Sequence, residues 1–276
     1  MKFNFKQPTV FSVDNLKGNP LAVVIDADAL TYEQMTQFAR WNNVSETAYL
    51  LKPTIDGADY RVRIFTINGE IPFAGHPTLG SCYVWLRVYK QHDKTTITQQ
   101  CEAGLVTIKR VNGRLAFMAP PIIKVTELVD EEKENIFSAL GISSDDISGC
   151  KWLDNNSSWL VIELKSVDKL LSITPDYSKF KNHNIGVCAT YPEGSNKELE
   201  VRAFSGPSAV EDPVTGSLNA LLAQWLIPQG KLPNEYTAGQ GQCVFRDGLI
   251  YVSFDGQTYW IGGDVVDCIS GIVELN

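Results

Sequence analysis

The sequence predicts an α+β protein of two pseudo-symmetric domains, each a central buried helix wrapped by a barrel-like mixed β-sheet. Two observations predict it: a set of short motifs that occurs twice in the same order, and one segment in each half that is apolar nearly all the way round. Val62-Arg63-Ile64-Phe65-Thr66 recurs as Val201-Arg202-Ala203-Phe204-Ser205, a shift of 139 residues. His76-Pro77-Thr78-Leu79-Gly80-Ser81 recurs as Asp212-Pro213-Val214-Thr215-Gly216-Ser217, a shift of 136, so the connecting loop reads as three residues shorter in the second copy. Upstream, Val13-Asp14-Asn15 matches Leu153-Asp154-Asn155 at a shift of 140. Matches in one order at nearly one spacing point to a duplicated unit. The double proline in Ala119-Pro120-Pro121 breaks regular structure and marks the boundary, giving domains 1–118 and 119–276, with the last strand able to pack back on the first domain.

Alternation and β-branched content mark strands at 22–25, 58–66, 95–98, 105–110 and 115–119, then at 159–164, 199–205, 242–245, 250–254 and 272–275. A surface helix is expected over 31–41, with Met35, Phe38 and Ala39 on one face. Another is expected over 130–140, which starts acidic and stops at Gly141 as dipole and C-cap preferences require. The segments 78–88 and 215–226 differ, being apolar around the whole helical circumference, so they are expected to be buried.

With 276 residues, 44% apolar and 20% charged, the chain has ordinary globular composition. Its 24 Lys and Arg against 32 Asp and Glu leave a net charge of −8 with no basic block. Neutralising phosphates needs such a block, which argues against nucleic acid or an anionic membrane and for a small-molecule partner. The longest apolar run, 218–227, is interrupted by Asn219 and Gln224 and falls short of the roughly 20 residues that span a bilayer. Met1-Lys2-Phe3-Asn4-Phe5 lacks a signal-peptide apolar region, so a cytoplasmic location is expected. Six cysteines without Cys-x-x-Cys or Cys-His spacing read as reduced core residues rather than disulfide or zinc ligands.

Each buried helix is expected to begin with a polar residue followed by proline, placing His76 and Asp212 at or next to the N-cap. A first helical turn presents unpaired N–H groups and about half a positive charge, which suits an anion. Gly75, and Gly216-Ser217, let a ligand approach the backbone closely. The two helix starts are expected to face one another across a cleft between the domains and hold a small carboxylate, with an imidazole and a carboxylate available for acid–base chemistry. Asp212 is also a good helix cap, and Glu46, between a helix end and an apolar strand, reads on its own as a loop carboxylate.

Asn43-Val44-Ser45-Glu46-Thr47, Phe73-Ala74-Gly75-His76-Pro77-Thr78-Leu79-Gly80 and Glu211-Asp212-Pro213-Val214-Thr215-Gly216-Ser217 resemble the signature segments of the phenazine biosynthesis PhzF family, which shares the diaminopimelate epimerase fold. The resemblance runs from Phe11-Ser12-Val13-Asp14 to the end of the chain. It implies an isomerase, in the phenazine enzyme acting on trans-2,3-dihydro-3-hydroxyanthranilate in antibiotic biosynthesis, with Glu46 as the general acid/base. It implies that His76, Asp212, Gly75 and Ser217 line the pocket, with His76 and Asp212 assisting; together with Pro77, Thr78 and Gly216 at the same helix starts, Gly75 and Ser217 are the expected substrate-binding residues. It also implies a homodimer with no metal or organic cofactor. Diaminopimelate epimerase and its relatives use two opposed thiols, one at each helix start; here neither start carries a cysteine, and Cys82 lies a turn or more inside its helix. A single carboxylate moving a proton along a conjugated substrate fits better. The competing readings are a small-anion binding protein without turnover, an epimerase or racemase acting without the cysteine pair, and a metal hydrolase using His76, Asp212 and Glu46, which no His-x-x-His spacing supports. Tyr49, Trp159 and Tyr191 stand as either pocket walls or core.

Overall fold

A computed structural model describes residues 1–180 and 182–275. It divides into two compact units, Met1–Met118 with Trp260–Asn276, and Ala119–Tyr259. Among the described residues no helix is long and apolar enough to cross a membrane.

The first unit holds β1 (Lys2–Val10), β2 (Asn19–Pro20), β3 (Ala22–Val24), α1 (Tyr32–Asn42), β4 (Thr47–Leu51), β5 (Tyr60–Thr66), β6 (Gly69–Ile71), α2 (Gly75–Val88), β7 (Thr96–Cys101), β8 (Gly104–Val111) and β9 (Arg114–Met118). β1 lies antiparallel to β3, β3 parallel to β4, β4 antiparallel to β5, β5 parallel to β7, and β7–β8–β9 run as a meander. Strand β5 buries Tyr60, Val62 and Ile64 in alternation, so one face of the sheet is apolar. That face wraps α2, whose Leu79, Cys82, Val84, Trp85 and Leu86 are all buried because the helix touches strands on several sides. The close fit is visible at Gly80, where an added Cβ would come within 2.5 Å of a Leu21 methyl.

The second unit holds β10 (Lys124–Thr126), α3 (Asp130–Leu140), β11 (Ile147–Asp154), β12 (Ser158–Leu164), α4 (Val167–Ser172), β13 (Asn184–Thr190), β14 (Leu199–Ser205), β15 (Val210–Asp212), α5 (Gly216–Leu226), β16 (Glu235–Gln240) and β17 (Gly248–Phe254). Its pairing repeats the first unit's: β11 antiparallel to β12, β12 parallel to β13, β13 antiparallel to β14, β14 parallel to β16, β16 antiparallel to β17. In each unit a helix bridges each parallel pair, and the second of these, α2 or α5, is the buried one. β18 (Tyr259–Gly263) pairs with β9, and β19 (Val265–Glu274) pairs with β1, so the chain's last strand belongs to the first unit.

The strand expected at 242–245 is instead a short 3-10 turn over Gln242–Val244, and β16 precedes it. Gly241, at φ 102°, turns the backbone out of the strand there. The cysteines carry no disulfides; Cys243 departs from the expected core placement, lying exposed in this turn.

Candidate functional site

The two buried helices start differently from the sequence expectation. α2 begins at Gly75, with Ala74 as N-cap, so His76, Pro77 and Thr78 are its second, third and fourth residues. α5 begins at Gly216 with Thr215 as N-cap, so Asp212 ends strand β15, three residues before the cap, and Pro213 is outside the helix. His76 and Asp212 therefore do not occupy matching positions. The ladder registers show why: Phe65 faces Glu70 and Ile64 faces Ile71 in one unit, while Phe204 faces Glu211 and Ala203 faces Asp212 in the other. Glu70-Ile71-Pro72 thus corresponds to Glu211-Asp212-Pro213, and Gly75-His76 corresponds to Gly216-Ser217. Aligning Pro77 with Pro213 put the repeat five residues out of step, and the extra length in the second copy is in the β14–β15 turn.

The corrected match brings out a second shared feature. Arg63 forks onto Glu70 through Nε at 2.8 Å and Nη2 at 2.6 Å. Arg202 forks onto Glu211 at 3.0 and 2.7 Å, and its remaining donor reaches the carbonyls of Leu170 and Ile173 at the end of α4. Bidentate pairing of this kind fixes geometry as well as charge, and it anchors the strand that leads into each helix.

A buried glutamine then holds each first turn from behind. Gln99 donates to Thr78 Oγ1 at 3.1 Å and accepts from Tyr60 Oη at 2.8 Å, while Thr78 donates to the N-cap carbonyl of Ala74 at 2.9 Å. At the corresponding place Gln240 accepts from Asn219 Nδ2 at 3.1 Å, and Asn219 donates to the N-cap carbonyl of Thr215 at 2.9 Å. Neither N-cap side chain bonds the first-turn N–H groups, unlike Thr31 of α1, which forms a capping box with Gln34. At neither start does the N-cap side chain satisfy the first-turn N–H groups, the groups through which a helix start binds an anion.

At the first of these, Nε2 of His76 lies 3.4 Å from Oε2 of Glu46. Glu46 is brought there because α1 ends at Asn43 in a left-handed turn (φ 55°) and the chain enters β4 immediately afterwards. His76 is 4% exposed, and burial pulls its pKa from 6.5 down to about 3, with a hydrogen bond to the Pro20 backbone opposing part of that shift. The imidazole is neutral at neutral pH. Since Nε2 faces Glu46, the nitrogen that donates to Pro20 is Nδ1. Nε2 and the neighbouring Thr47 Oγ1 are buried without a hydrogen bond of good geometry.

In the second unit Asp212 Oδ2 accepts from Thr215 Oγ1 at 2.5 Å, and Asn155 Nδ2 reaches the carbonyl of Ser217 at 3.4 Å. Oδ1 of both Asn155 and Asn219 is buried without a partner. Buried orphan polar atoms are uncommon in folded proteins; among the described residues some of them, His76 Nε2, Thr47 Oγ1, Asn155 Oδ1 and Asn219 Oδ1, fall at or next to the helix starts, while others, such as Thr9 Oγ1 of β1 and Tyr236 Oη of β16, belong to strands. Sequence reasoning missed Thr215, Asn219, Gln240, Asn155 and Gln99. Thr215 lay within a repeated motif and Asn155 within a repeat match, and Asn219 carried a signal as an amide inside an otherwise apolar helix. Of the three aromatics left open, Tyr49 is core, donating to the Met35 carbonyl at 2.6 Å; Trp159 is buried and bonds Ser157, and Tyr191 bonds Glu200.

Comparison with known proteins agrees with this architecture. A family model described as phenazine biosynthesis-like protein matches residues 9–271. The chain is 36% identical over 292 residues to antisense-enhancing sequence 1 of Schizosaccharomyces pombe, covering 97% of each. It is 33% identical to the trans-2,3-dihydro-3-hydroxyanthranilate isomerase of Pseudomonas fluorescens, covering 88% of this chain and 87% of that one. The crystal structure of a Bacillus anthracis phenazine biosynthesis protein of the PhzF family superposes with a TM-score of 0.84 over 99% of both chains, at 23% identity. With the duplicated strand order, the paired buried helices and a family match over nearly its whole length, this chain belongs to the phenazine biosynthesis-like PhzF family and has its diaminopimelate epimerase-like α+β fold.

Proposed function

We propose that this chain is an isomerase that moves a proton on a small carboxylate, with Glu46 as the group that carries it. The observation that bears the most weight is the pair formed by Glu46 and the buried, neutral His76. With Nδ1–H committed to the Pro20 backbone, Nε2 offers a lone pair toward Oε2 at 3.4 Å. While Glu46 is ionised two acceptors face one another there, and a proton taken onto Oε2 from a substrate carbon turns that contact into a hydrogen bond, so the pair is suited to receive a proton from one carbon and release it to another. In the forward step the carboxylate takes a proton from one carbon, the C–H electron pair enters the conjugated system, and the proton returns to a second carbon. Protonation state then cycles on Glu46, with His76 receiving a hydrogen bond while Glu46 is protonated. A first helical turn without a side-chain cap suits a carboxylate, and Asp212 is read as a second participating group. The absence of a thiol from either first turn supports one-carboxylate transfer over two-thiol inversion.

The P. fluorescens relative is named for trans-2,3-dihydro-3-hydroxyanthranilate, which makes that compound the first probe. Incubation in deuterium oxide should give an isomer carrying deuterium at the newly protonated carbon, read by proton NMR. If calorimetry detects binding of this and related conjugated carboxylates but no carbon-bound deuterium is found with any of them, the chain is a binding protein.

A further inference from the structure

We propose that Gln240 and Thr215 form a one-directional hydrogen-bond relay that holds the Asp212 carboxylate as a proton acceptor; its use in catalysis rests on the isomerase reading above. Gln240, 2% exposed at the end of β16, has its amide orientation set by two backbone groups that admit no choice. Its Oε1 accepts from the N–H of Thr215 at 3.1 Å, and its Nε2 donates to the carbonyl of Asp212 at 3.1 Å. Reversing the amide would set donor against donor and acceptor against acceptor. Nε2 also lies 3.0 Å from Thr215 Oγ1, so the hydroxyl accepts there and its only proton goes to Asp212 Oδ2. A protonated Oδ2 would leave that hydroxyl without an acceptor. The relay therefore favours ionised Asp212, because a hydrogen bond to the charged form stabilises it.

The first unit shows that this is more than a way of holding a helix start. It keeps the glutamine, Gln99, and the polar fourth residue, Thr78, but has Ala74 where the relay hydroxyl stands and Ile71 where the carboxylate stands. The charged groups on the neighbouring strands are engaged with one another: Arg202 with Glu211, and Glu200 with Lys197 as well as Tyr191 and Gln242. In the turn after β16, burial pushes the Cys243 thiol up, leaving it neutral, and a charged residue there is Arg246, whose Cβ lies against Gly241 on the side of the Pro213 carbonyl.

The test is a carboxyl carbon-13 NMR titration of the full chain labelled at aspartate, with the Asp212 signal assigned by Asp212→Asn. In Thr215→Val its titration midpoint should rise by about one pH unit, about a tenfold change in acid dissociation, while Thr215→Ser keeps the wild-type midpoint. Gln240→Met, which removes the donor to the hydroxyl without adding a charge, should raise the midpoint too and serves if the valine variant does not fold. A midpoint unchanged in Thr215→Val, or in Gln240→Met, overturns the relay. Turnover of the probe substrate separates the two claims. A kcat about tenfold lower in Thr215→Val, with KM little changed and recovery in Thr215→Ser, supports both. A shifted midpoint with undiminished kcat leaves the relay standing and removes Asp212 from the chemistry.

Discussion

Burial rather than any charged neighbour sets the state of His76, and this has a consequence for stability. An unfolded histidine takes up a proton near pH 6.5, whereas the folded one resists until about pH 3. Between those values the unfolded chain binds more protons, so the contribution of His76 to stability is full above 6.5 and is lost as pH falls through the window. The loss is at most about 1.4 kcal/mol per pH unit. Denaturant unfolding at pH 7 and pH 5 should show this component in the wild type and its absence in His76→Gln; equal pH dependence in the two proteins would count against a neutral buried imidazole. His76 was legible from its place at an expected helix start, whereas Glu46 read on its own as a loop carboxylate and became a candidate only through the family resemblance. Their 3.4 Å approach was not legible, because it depends on the Asn43 turn delivering β4 beside the first turn of α2.

At the scale of elements, the helix starts are held by contacts of very different energetic weight. The Arg202–Glu211 fork is almost wholly buried, at 5% and 7% side-chain exposure, while Arg63–Glu70 is at 20% and 17%. Glu211→Ala strands a buried guanidinium and should cost about 3–5 kcal/mol in urea unfolding. Glu70→Ala should cost clearly less, and the reverse order would contradict the burial argument. Packing behind α5 can be tested in the same way: a Cβ on Gly186 would come within 2.4 Å of a Leu218 methyl, so Gly186→Ala should destabilise by about 1–3 kcal/mol. Both buried helices were legible from their all-round apolarity, as was α3 from its acidic start and Gly141. The β16 strand was not: Tyr236, Ala238 and Gln240 are its inward residues, and a sequence with glycine at 239 and 241 carries little strand signal. The turn at 242–245 looked more strand-like because Cys243, Val244 and Phe245 are apolar, yet Phe245 has φ 62° and is 85% exposed.

Across the whole molecule, duplication was the most informative feature of the sequence, and its register was what the sequence misplaced. Short motifs identify a repeat but cannot say which of two nearby prolines is equivalent; the β5–β6 and β14–β15 ladders decide it through residues opposed in space. With the register corrected, the two units share a scaffold of an Arg–Glu fork, an uncapped buried helix and a glutamine behind its first turn, and differ in what they place on it. One presents an imidazole beside a carboxylate from a neighbouring loop, the other a hydroxyl and a carboxylate on a relay. On the proposed reading the central proton transfer belongs to Glu46. The most direct test is proton exchange at substrate carbon in deuterium oxide with Glu46→Gln. The account predicts deuterium incorporation by the wild type and none by the variant, while calorimetry still detects binding of the carboxylate to it; exchange by Glu46→Gln at the wild-type rate would contradict it.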